Sequence, residues 1–118
     1  LSPFAVELRS ALERAGASLA GSAAAADVVI RVRNDRTGRR VLSVSSRNTP
    51  QEYELFYTVD YTIDRDGAEV MPLQRHELTR SFTFDQSRLL AKDREEDVLR
   101  EAMARDLADL VLRRLESL

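Results

Sequence analysis

The chain has 118 residues, 43% of them hydrophobic, which is the length of one ordinary domain with a modest core. Its 18 basic and 20 acidic residues leave a net charge of −2, arguing against a nucleic-acid binder held by overall positive charge. There is no Cys, and His76 is the single histidine. That excludes disulfide frameworks, thiolate zinc sites and multi-histidine metal sites, and no apolar run approaches the roughly 20 residues needed to span a bilayer.

The chain opens on Leu1-Ser2-Pro3 with no initiator Met, basic n-region or apolar h-region, and so reads as a processed or truncated product, which leaves room for an upstream targeting segment that is missing here. Phe4, Leu8, Ala11, Leu12, Ala15 and Leu19 recur at helical spacing, predicting a helix over 4–19 with Ser2 as N-cap and Pro3 at its first position. An Ala-rich connection spans 20–26. The period then changes from 3.6 to 2. Val28, Ile30 and Val32 alternate with Val29, Arg31 and Arg33, predicting a strand over 28–33. Leu42 and Val44 alternate with Arg39, Val41, Ser43, Ser45 and Arg47, predicting a second over 39–47. The clearest strand is 53–63, with Tyr53, Leu55, Tyr57, Val59, Tyr61 and Ile63 on one face. Asp66-Gly67 is a hairpin signal, and a fourth strand follows over 75–84. Asp93 with Glu96 three residues on suggests the start of the last helix, whose stripe is Leu99, Met103, Leu107, Leu110, Val111 and Leu115.

The expected architecture is α+β: a two-layer sandwich of two amphipathic helices on one face of a mainly antiparallel four-stranded sheet. The other face is left uncovered. By alternation it carries Arg31, Arg33, Arg39, Ser43, Ser45, Arg47, Thr58, Asp60, Thr62, Thr79, Ser81 and Thr83. It is rich in Ser, Thr and Arg and poor in large apolar groups.

Residues 28–47 hold six arginines (31, 33, 36, 39, 40 and 47) and one acid, Asp35, a local charge of +5. The planar guanidinium suits bidentate contacts to phosphate or carboxylate. Such a segment is either a solvated face balanced by acids elsewhere or an anion site for phosphorylated glycolipid, nucleic acid or acidic protein. Single-strand nucleic acid needs exposed aromatics for stacking. Here Tyr53, Tyr57, Tyr61, Phe82 and Phe84 fall on the helix-covered face and only Phe56 on the other, so no nucleic-acid partner is expected. His76 with Ser81 and Asp85 or Asp60 lacks any nucleophile-elbow motif. Glu95-Glu96 and the Asp106 and Asp109 pair sit beside Arg94, Arg100 and Arg105 as helix-surface ion pairs. Neither an enzyme nor a metal or other cofactor is expected.

Arg80-Ser81-Phe82, Phe84-Asp85 and the run Leu90-Ala91-Lys92-Asp93-Arg94-Glu95-Glu96-Asp97 resemble the LptE (RlpB) family of outer-membrane lipopolysaccharide-assembly lipoproteins. Glu52-Tyr53-Glu54-Leu55 and Met103-Ala104-Arg105-Asp106-Leu107-Ala108 match it in the same order. The resemblance spans nearly the whole chain as one LptE-like domain. It implies a non-enzymatic plug and accessory subunit of the large outer-membrane barrel LptD, aiding its assembly and binding lipopolysaccharide. It also implies attachment to the periplasmic side of the outer membrane through an N-terminal lipidated Cys. That Cys, the signal peptide and a short first strand are all absent from this sequence. The resemblance further points to Lys92 and Arg47 as lipopolysaccharide contacts and to Phe56 and Thr79 as partner contacts; Arg31, Arg33 and Arg39 of the basic segment are expected to support the first two. A free periplasmic module that captures anionic ligands without a barrel is the alternative.

Overall fold

In the computed structural model the described residues are 1–83 and 89–118, with 89–92 described by backbone alone. The order is α1 (Pro3–Arg14), β1 (Val28–Val44), β2 (Pro50–Arg65), β3 (Ala68–Thr83) and α2 (Leu89–Glu116), with a 3-10 turn at Ala23–Ala25 before β1. The sheet has three strands in the order β1-β2-β3, both pairings antiparallel. The four-strand expectation is therefore corrected: residues 28–33 and 39–47 belong largely to one 17-residue strand. The apolar alternation lapses between them, at Asn34, Asp35, Arg36, Thr37 and Gly38, but the backbone pairing does not.

Helix α1 starts as its sequence suggests. The Ser2 hydroxyl accepts from the Ala5 N–H at 3.0 Å, and Pro3 follows it. It stops sooner than expected. Gly16 takes φ +92°, its N–H bonds the Glu13 carbonyl and the Ala17 N–H bonds the Leu12 carbonyl, a pair of capping bonds that closes a helix in the left-handed conformation. The β2–β3 hairpin turns on Asp66 and Gly67, both at positive φ, as a two-residue hairpin requires. Helix α2 begins at Leu89, a turn before the expected Asp93.

The core lies between the helices and the central strand. Leu55, Tyr57, Val59, Tyr61 and Ile63 of β2 meet Phe4, Leu8 and Ala11 of α1 and Met103, Leu107 and Val111 of α2. Burying an aliphatic side chain of this size stabilises by about 1.5–3 kcal/mol. Polar links fix the layers. The Tyr57 hydroxyl accepts from the Phe4 N–H at 3.0 Å and donates to Asp35 at 3.0 Å, and the Ser2 hydroxyl bonds the same carboxylate. Arg80 on β3 reaches Asp106 on α2 at 3.3 Å, and Glu7 on α1 approaches Arg105 at 4.0 Å.

The molecule is elongated, 58 × 24 × 21 Å with a radius of gyration of 17.5 Å, against about 13.5 Å for a compact domain of this length. Seventeen residues of strand account for the long axis, at about 56 Å.

Candidate functional site

The helices leave one face of the sheet open, and strand register decides which side chains stand on it. Residues paired across an antiparallel ladder share a face. The rows of the open face are Arg31–Thr62, Asn34–Asp60–Arg75, Arg36–Thr58–Glu77, Gly38–Phe56–Thr79, Arg40–Glu54–Ser81 and Ser43–Glu52–Thr83. The central positions Thr58, Asp60 and Thr62 are nearly buried, 4–6% exposed, because side chains of the flanking strands close over them.

Two bulges in β1 set this list. The register shifts between Val32 and Asn34, leaving Arg33 as the extra residue, and again between Val41 and Ser43. The first bulge reverses the alternation. Arg39 therefore pairs with Leu55 on the helix-covered side, contrary to its expected place on the open face, and Arg36 and Arg40 take the open positions. There Arg39 bonds Glu96 of α2 at 2.9 Å, and its guanidinium carbon lies 5.1 Å from the Tyr53 ring centroid. The second bulge restores Ser43 to the open side. Arg33 occupies the bulge, outside the paired rows, and is exposed. Ser45 and Arg47 belong to the β1–β2 turn and are likewise off the paired rows. In that turn the Ser45 hydroxyl accepts from the Arg47 and Thr49 N–H groups at 3.2 Å each.

The open face is charged yet largely self-neutralised. Arg31 bonds Asp64 at 2.9 Å. Arg40 bonds Glu54 at 2.8 Å and lies 3.4 Å from Glu77. Arg75 clasps Asp60 through two nitrogens at 2.7 and 2.8 Å, and these hydrogen bonds hold the Asp60 carboxyl below the usual carboxylate range despite its burial. The +5 segment is thus partly balanced by acids across the sheet and on α2. Phe56 is the large apolar side chain of the face. Its ring lies across Gly38, where a Cβ would meet Cζ at 2.7 Å. Phe56 and Thr79, both singled out from the sequence, are direct cross-strand neighbours. Arg36 and Arg40, counted in the basic segment, were not expected on the open face because the bulge hid their register. Gly38 and Arg75 were missed, the bulge hiding the first, and stepping back by two from Glu77 locates Arg75.

The five basic candidates do not form one cluster. Arg39, Arg47 and the backbone of Lys92 lie toward the end where β1 turns into β2 and α2 begins; the Lys92 side chain lies outside the described residues. Arg31 is about 26 Å from Arg39 along β1, in the other half of the molecule, with Arg33 beside it. The turn end also exposes Val41, Leu42 and Val44, each about half accessible.

Among the described residues His76, Ser81 and Asp60 are not brought together. His76 faces the helices, where its Nε2 lies 2.9 Å from the Tyr61 hydroxyl. Burial first, then Arg114, pushes its pKa down. Ser81 and Asp60 stand on the opposite face, and Asp85 lies outside the described residues. An open apolar groove of about 480 Å³ runs between the end of α1, the Ala-rich connection and the start of β1, past Leu12, Leu19, Val28, Ile30 and Leu115. Among the described residues no group of three or more His, Cys, Asp or Glu converges as a metal site, and no helix is long and apolar enough to cross a membrane.

Comparison with known proteins places this architecture. The family model LptE, lipopolysaccharide-assembly, matches residues 2–115. The chain is similar to the crystal structure of rare lipoprotein B from Shewanella oneidensis, with a TM-score of 0.83 and 26% identity over 98% of this chain and 86% of that one. It is also similar to the solution structure of a lipoprotein B from Nitrosomonas europaea, with a TM-score of 0.77 and 30% identity over 92% of this chain and 74% of that one. A minor lipoprotein from Acinetobacter baumannii, 21% identical over 98% of this chain and 83% of that one, shares the fold with a TM-score of 0.77. No curated protein matches. With a family model matched over residues 2–115 and a structural likeness that runs almost end to end, the chain belongs to the LptE family of lipopolysaccharide assembly.

Proposed function

We propose that the protein is a non-enzymatic plug and accessory subunit inside the outer-membrane barrel LptD, where it aids barrel assembly and binds lipopolysaccharide. The observation that carries this reading is the open sheet face. It is long and hydrogen-bonding, and most of its charges are paired in place. Such a surface suits the polar interior of a transmembrane barrel and would make a poor greasy interface. The molecule's 24 × 21 Å cross-section suits the lumen of large barrels, where those of about 22 strands hold plugs. We also propose that one folded domain spans residues 1–118, and that the protein sits at the periplasmic side of the outer membrane on an N-terminal lipid anchor. The lipoprotein descriptions of its structural relatives support the anchor.

For lipopolysaccharide the proposed contacts are Lys92 and Arg47, with Arg39 at the same end and Arg31 and Arg33 farther along β1. Arg47 offers charge-assisted contacts to lipid A phosphates, and Val41, Leu42 and Val44 beside it offer apolar surface to acyl chains. Phe56 and Thr79 are proposed as barrel contacts. The test of the ligand half is a double variant, Lys92→Ala with Arg47→Ala, titrated with purified lipopolysaccharide. Binding is expected to fall about tenfold, as for lost hydrogen bonds to charged groups, with an unchanged thermal melt. Unchanged binding by a folded double variant would remove this assignment.

A further inference from the structure

Arg36 and Arg40 flank one aromatic ring on the open face. Their guanidinium carbons stand 5.6 and 4.4 Å from the Phe56 centroid, and the ring can rest there because residue 38 has no side chain. The two forks are used differently. Arg40 is bonded between Glu54 and Glu77 and is neutralised. Arg36 is exposed, and among the described residues no carboxylate lies within 4.0 Å of it. Stacking on the ring restricts the Arg36 side chain before any partner arrives, so less conformational entropy is lost on binding.

Resting on the plug reading above, we infer that Arg36, held on Phe56, is the open face's contact for a carboxylate on the inner wall of the barrel. The surroundings select the partner's chemistry. Glu77 shares a row with Arg36, and Glu54 stands one row beyond Phe56. With Arg40 shared between them, Glu54 and Glu77 keep a net charge of −1, which repels a doubly charged phosphate more than a single carboxylate. The neighbours Thr79 and Ser81 offer hydroxyls rather than aliphatic surface for acyl chains. An arginine and an aromatic side by side, ringed by groups already paired with one another, is the composition of an interface hot spot.

The test uses the full-length protein recovered from outer membranes in mild detergent, with its barrel quantified by mass spectrometry. Arg36→Glu is expected to lower barrel recovery about tenfold or more, as for a hot-spot arginine, while Arg14→Glu, the same charge change at the exposed end of α1, keeps it within about twofold. Gly38→Ala displaces the ring that holds Arg36 and should lower recovery although the Arg36 charge is retained. Thermal melts separate these losses from unfolding. If the wild type recovers the barrel and a folded Arg36→Glu recovers it equally, the Arg36 assignment falls and the plug reading stands. If the wild type recovers no barrel, both fall. If Arg36→Glu keeps the barrel but loses lipopolysaccharide vesicles, the carboxylate assignment is overturned in favour of phosphate.

Discussion

Asp60 shows how this sheet carries charge without a greasy cover. The carboxylate is 6% exposed, and a charge buried this far needs a partner that also satisfies its lone pairs. Arg75 supplies two hydrogen bonds, and those bonds, ahead of the opposing effect of burial, lower the Asp60 pKa. A carboxylate whose folded pKa is lowered contributes stability above its unfolded pKa, near 3.9, and loses that contribution as the pH falls through the folded value. Arg75→Ala should therefore melt below the wild type at pH 7, with the gap narrowing as the pH falls below about 4. Thermal melts across that range check it; a gap that stays constant with pH would show that Arg75 stabilises by packing alone. His76 was legible only as an ordinary polar residue. Its phenol partner Tyr61 lies 15 positions away in sequence, and no spacing rule reaches that far.

At the scale of the element, β2 was legible as one strand and β1 only as two separate pieces, 28–33 and 39–47, for a physical reason. The core-facing side of β2 is an unbroken run of apolar and tyrosine side chains, so period 2 stands out. In the second half of β1 the core-facing side is Asp35, Thr37, Arg39 and Val41, which looks like loop. Each polar residue there is satisfied from another element. Asp35 takes the Tyr57 and Ser2 hydroxyls, Thr37 donates to the Phe56 carbonyl and accepts from Arg100, and Arg39 pairs with Glu96. Those partnerships are tertiary and leave no mark on local periodicity. The bulge at Arg33 then misdirected the faces of what followed. Because Arg33 is the unpaired extra residue, deleting it should leave every later side chain on its present face. Such a deletion variant is expected to unfold cooperatively, within about 1–2 kcal/mol of the wild type, as read by urea denaturation. Loss of cooperative unfolding would show that the bulge is needed for the sheet to pack.

At the scale of the whole molecule, length separates two kinds of surface. One end gathers Arg39, Arg47 and the start of α2 beside exposed Val41, Leu42 and Val44, and suits a phosphorylated amphiphile. The long open face between the ends, centred on Phe56, suits a polar wall. The family was legible in short ordered motifs before any fold was in hand. The proposed division of labour was not, because it depends on which arginines are already paired. A free anion-capturing module would need the end alone; a plug needs the face. The measurement that separates them is recovery of the protein from outer membranes in mild detergent, with every co-purifying species identified by mass. A large β-barrel at one-to-one stoichiometry is the expected result, and recovery of the protein alone, still binding lipopolysaccharide, would contradict the plug.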